Sequence, residues 1–223
     1  MTGELRPFEI KDCALIAIAT GRRAQNLREI ISLLQDIDLN CIYYHFWGGL
    51  LRPRFDNPEY HNDFAVWIAH GLHNKTLAER LALIDPAGYE SMAELRDEMV
   101  DVIEEDLDET EYPAWADRDN QFEFISSQLV VFNTNVSINN PVEMSNFIPG
   151  MSAGSIFFHF IDGRRRNNDR LDDFRNWLYQ YEDRYEGLID MIKVIDPYFS
   201  SLTELRSQLT EAFSSYFREN GSE

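Results

Sequence analysis

Two histidines stand in near-identical aromatic settings, His45 in IYYHF (residues 42–46) and His159 in IFFHF (156–160), and each pentapeptide is followed by a glycine, Gly49 or Gly163. An imidazole so placed has three readings. It can be a buried hydrogen-bonding group that donates to a carbonyl or pairs with the helix start at Asp63 or Asp173. It can bind a ligand, or it can move protons, which needs a poised pKa and a substrate within reach. Positive charge is scarce and clustered: Arg22 and Arg23, Arg52 and Arg54, and Arg164, Arg165 and Arg166. Arg52 and Arg164 lie in corresponding regions just past the histidine motif. Two or three guanidiniums could grip a phosphate or carboxylate through bidentate bonds, or they could neutralise the chain's own acids. The candidate ligand- or partner-binding residues are therefore His45, His159, Arg22, Arg23, Arg52, Arg164 and Arg165, and no residue is assigned as catalytic.

The remaining chemistry-bearing residues give less. His70 and His73 stand three apart on an expected helix and could hold a metal with His61 or Asp63 as a third ligand, but surface helical histidines are the commoner case, so no metal is expected. The chain has no phosphate-binding glycine loop, serine-hydrolase elbow, H-E-x-x-H or dinucleotide fingerprint, and no cofactor is expected. Cys13 and Cys41 read as reduced, mostly buried thiols.

The elements that must carry these residues occur twice. Sliding the chain by 114 lays PFEIKDCALIAIATG on QFEFISSQLVVFNTN, so that Phe8 meets Phe122, Glu9 meets Glu123, Thr20 meets Thr134, His45 meets His159 and Gly49 meets Gly163. The offset then shrinks by four, bringing Asp63, Phe64 and Trp67 onto Asp173, Phe174 and Trp177, and SMAELR later meets SLTELR. One unit reads as a strand over Phe8–Thr20, a helix capped by Asn26, a third element over Cys41–Leu51, a helix begun by Asn62 or Asp63, a short helix through Leu77 and Leu81, and a last helix with Ser91 and Glu94 as a capping box. Phe64, Trp67, Phe174 and Trp177 are core positions. The expected fold is α+β, predominantly α, with two tandem copies of a strand-plus-helices unit related by an approximate two-fold: residues 1–110, a linker at 111–120, and residues 121–223.

The segments TGRRAQNLREI, IYYHFWGGLLRPRFDNPEYHNDFAVWIAHGLH, TLAERLALIDP and FFHFIDGRRR resemble a bacterial family known only as a domain of unknown function, number five-seven-five-two in its series. The resemblance covers almost the whole chain and implies no reaction. Relatives of the NDF-x-x-W segment look like small helical modules attached to varied proteins, which suits binding better than catalysis.

The charge balance narrows the partner. With 39 acidic and 20 basic residues the formal charge is −19, which disfavours nucleic acid. Much of the excess lies in ELRDEMVDVIEEDLDETE (94–111), with ten carboxylates and one arginine, readable as a solvated face or as a docking surface for a basic partner. No apolar run is long enough to span a bilayer and the first residues lack a signal pattern, so a cytoplasmic protein without a membrane partner is expected. The reading that results is a non-catalytic interaction or regulatory protein, an accessory of a multi-protein system. The alternative is a binder of an anionic small molecule such as a phosphosugar, or an unorthodox enzyme.

Overall fold

The computed structural model of the chain describes residues 5–52, 59–109 and 114–220. Arg54 lies outside them, as do parts of the 111–120 linker and of the acidic run. The protein is mostly helical with one two-stranded sheet, made by β1 (Phe8–Ala24) and β2 (Phe122–Ile138). The strands are antiparallel, tied near both ends by matched bonds in which Thr20 Oγ1 donates to Phe124 O and Thr134 Oγ1 to Ile10 O, each at 2.6 Å. β1 runs four residues past its expected end at Thr20. The turn signal there is absorbed inside the strand: Gly21 takes a φ of 73° and its counterpart Asn135 a φ of 59°, a conformation that glycine and asparagine tolerate.

After β1 come α1 (Leu27–Leu34), α2 (Leu39–Trp47), α3 (Asp63–Gly71), α4 (Lys75–Ala82) and α5 (Met92–Glu109). After β2 come α6 (Pro141–Phe147), α7 (Ala153–Ile156), a π turn over Phe157–Asp162, α8 (Gly163–Arg166), α9 (Asp173–Leu178), α10 (Glu186–Lys193) and α11 (Leu202–Asn220). The starts follow the capping residues. Asn26, Asn62, Asn74 and Asn140 each accept from a first-turn amide of their helices. Ser201 and Glu204 close a reciprocal capping box, each side chain bonding the other's amide. None of the described helices is long and apolar enough to cross a membrane.

The chain divides into two compact units: a continuous one, Leu15–Leu129, and a discontinuous one, Met1–Ala14 with Val130–Glu223. This division differs from the halves of the sequence pattern. The first part of each strand packs on the helices that follow the other strand. In the continuous unit Phe122 and Phe124 join Ile30, Ile42, Phe46, Phe64, Leu95 and Met99 in the core; in the discontinuous unit Phe8 and Ile10 join Ile156, Phe160, Phe174, Leu188, Leu205 and Phe213. Trp67 and Trp177 are buried beside them.

Candidate functional site

In the continuous unit the site begins with α2, whose last turn carries the buried His45. Its ring lies among Phe122 (4.7 Å between centroids), Phe64 (5.2 Å) and Tyr44 (5.4 Å). Nδ1 is 2.9 Å from Asp63 Oδ2 at the start of α3, and Nε2 accepts the amide of Ile125 in β2 at 3.0 Å. Because an amide can only donate, Nε2 is the bare nitrogen and Nδ1 carries the proton it gives to Asp63. One turn along α3, Trp67 Nε1 donates to Asn120 O at 2.7 Å. Arg52 reaches the same Asp63 oxygen at 3.5 Å and lies over the Tyr44 ring at 4.7 Å.

The discontinuous unit has the same bonds on different segments. His159 Nδ1 is 2.7 Å from Asp173 Oδ2 and Nε2 accepts the amide of Lys11 in β1 at 2.9 Å; Trp177 Nε1 donates to Arg6 O at 2.8 Å. The guanidinium here is Arg166, 2.8 Å from Asp173 Oδ2 and 3.8 Å over Phe158. Burial works against the charge of Asp173, but hydrogen bonds from His159 and Arg166, together with neighbouring positive charge, outweigh it and hold the carboxyl below its ordinary value. Asn167 adds a bond to Oδ1 at 3.0 Å. The glycine of the motif has a steric reason: a Cβ on Gly163 would lie 3.1 Å from Asp173 N, so any other residue would need the backbone at the start of α9 to shift by a few tenths of an ångström.

Each constellation borders a shallow cleft. The one beside His45, Asp63, Arg52 and Trp67 holds about 460 Å³, and the one beside His159, Asp173, Asn176 and Trp177 about 580 Å³. Both nitrogens of each imidazole are occupied by the fold, so neither histidine offers a free lone pair to a substrate in these clefts. What the arrangement does is hold a strand against a helix pair.

The other candidates are dispersed. Arg22 pairs with Asp36 at 2.8 Å and Arg23 with Glu123 at 2.7 Å, both exposed. Arg164 donates to Phe160 O at 3.2 Å, lies over the Phe160 ring and is 3.7 Å from the buried Asp172; Arg165 meets the buried Asp162 at 3.0 Å. Phe64, Trp67, Phe174 and Trp177 are all buried. The sequence reading names Arg166 in its arginine cluster but leaves it off the candidates, although the offset of 114 carried three residues beyond Gly49 sets it against Arg52, and in this unit it is the guanidinium on the helix-start carboxylate. His70 and His73 are exposed, and among the described residues no group of three His, Cys, Asp or Glu could hold a metal. Cys13 and Cys41 are buried free thiols; burial first, then Asp162 and Asp12, push Cys13 up to about 12.

A family of unknown function, DUF5752, matches residues 5–214. No curated protein matches the chain. Among solved structures, "The structure of OrfY from Thermoproteus tenax" is similar over 94% of each chain, with a TM-score of 0.79 at 24% identity, a likeness of fold.

Proposed function

This chain belongs to the family of unknown function DUF5752, and from that premise we propose that it is a non-catalytic interaction protein that docks a basic partner on α5. One observation carries the reading. Glu94, Asp97, Asp101, Glu104 and Asp108 are all exposed and recur every three or four residues, forming one acidic stripe on the outer face of α5, while Leu95, Met99 and Ile103 face the core. The corresponding helix α11 buries Leu205, Leu209 and Phe213 in the same register, yet its outer positions are Glu204, Ser207, Glu211, Ser214 and Arg218. Packing therefore does not require the stripe. Like charges at such spacing oppose the helix by about 0.2–0.5 kcal/mol per pair, so the stripe is a cost to the fold that a partner would explain.

The engaged nitrogens of His45 and His159 support the non-catalytic part of the reading. The finer architecture belongs to it too: two tandem copies related by an approximate two-fold, for which the matched His, Asp, Trp and Arg bonds speak. In this reading the protein is a cytoplasmic accessory of a bacterial multi-protein system. A second reading, a site for a small anion, has one observation in its favour, Arg52 beside the cleft with 43% of its side chain exposed.

The test is co-purification with mass spectrometry of the parent and of a variant with Asp97→Asn, Asp101→Asn, Glu104→Gln and Asp108→Asn. The expected result is a stoichiometric basic protein retained by the parent and lost by the variant. Equal retention by both defeats the α5 assignment, and a retained small anion without a protein favours the second reading.

A further inference from the structure

The two helix sets read their strands by one rule. In each, a tryptophan indole donates to the carbonyl two residues before a phenylalanine (Arg6 before Phe8, Asn120 before Phe122), and a histidine accepts the amide three residues after it (Lys11, Ile125). That phenylalanine stacks on the helix phenylalanine, Phe8 on Phe174 at 5.2 Å and Phe122 on Phe64 at 4.7 Å. The second residue after it, Ile10 or Phe124, is 2% or 1% exposed, and the glutamate between points to solvent. Main-chain bonds that ignore side-chain identity, with pockets for alternate residues, are how proteins recognise an extended peptide by strand addition. Arg6–Lys11 and Asn120–Ile125 share only Phe-Glu at matched positions, yet both satisfy the rule.

We infer that each helix set is a recognition groove for an extended segment bearing Phe-x-Ile or Phe-x-Phe, occupied by the chain's own strand start, and that the strand start of a second copy of this chain is its competing occupant. The chain itself argues for that occupant. In the discontinuous unit the segment up to Ala14 is separated from its helices by the whole of residues 15–129, so contacts and not a short tether hold it there. A second copy presents the same segment and makes the same contacts, which is the condition for strand exchange at little cost. This surface is separate from the α5 stripe, and the two readings stand or fall independently.

The probe is a fluorescent peptide of residues 5–12, Leu-Arg-Pro-Phe-Glu-Ile-Lys-Asp, titrated by anisotropy into the full chain as parent and as Phe8→Ala, with folding checked by circular dichroism. The variant binds the peptide, and the parent binds it about 10²-fold more weakly because its tethered segment competes at millimolar effective concentration. A peptide with its phenylalanine replaced by alanine does not bind. Folded Phe8→Ala that ignores the peptide, or takes the alanine peptide equally well, overturns the inference. If Phe8→Ala fails to fold, the parent decides: donor- and acceptor-labelled copies incubated together at high concentration develop energy transfer that excess peptide suppresses, and absence of transfer, or transfer indifferent to the peptide, overturns it.

Discussion

His45, in the last turn of α2, and His159, in the π turn before α8, each join the carboxylate that opens a later helix, Asp63 of α3 or Asp173 of α9, to a strand amide. Truncation to alanine strands the amide and removes one of the carboxylate's partners, a loss of about 1–3 kcal/mol for an unsatisfied buried group. His45→Ala and His159→Ala are expected to lower the urea midpoint by similar amounts, and a large loss in one with none in the other would separate their roles. Asp173 adds a pH dependence. Its carboxyl is held below the ordinary value in the folded state, so its contribution is present above the unfolded carboxylate range and is lost as pH falls through the folded value. Asp173→Asn should therefore destabilise the protein at neutral pH and flatten the acid limb of its stability curve; an unchanged acid limb contradicts this. The histidine motif and the Asp helix starts were legible from the matched sequence pattern. The direction of each bond was not, because a sequence pattern shows which residues recur and not which strand they touch.

Among the elements, the helix starts were the most legible, since a capping side chain acts on amides two or three residues away and needs no tertiary knowledge. Asn26, Ser91 and Ser201 cap where the pattern placed them, and of the pair Asn62 and Asp63 it is Asn62 that caps. The strand ends were less so, because Thr20-Gly21 and Thr134-Asn135 set a positive φ inside a continuous strand with the same residues that elsewhere end one. Trp67 and Trp177 tie α3 and α9 to the carbonyls two residues before the strands, Asn120 and Arg6, as well as filling the core. Replacement by alanine should cost about 3–5 kcal/mol, and replacement by phenylalanine about 1 kcal/mol for the lost bond. A phenylalanine variant that melts with the parent would show that the indole bond contributes nothing. In α5, the four-fold neutralised stripe should leave stability unchanged or slightly raised.

For the whole molecule, the physics that the sequence pattern could not carry is long-range. Periodicity reports which face of an element is buried, and both strand starts look alike, so nothing local states that Phe8 packs on α9 and Phe122 on α3. The two compact units follow that exchange and not the halves of the sequence pattern. The central claim is that each histidine holds the strand start that precedes the other helix set, and amide hydrogen exchange of the native protein reads it residue by residue. In His159→Ala the Lys11 amide should exchange roughly tenfold to a hundredfold faster, with Ile125 unchanged, and in His45→Ala the pattern should reverse. Protection of Lys11 that survives the loss of His159, with Ile125 equally indifferent to His45, would contradict it.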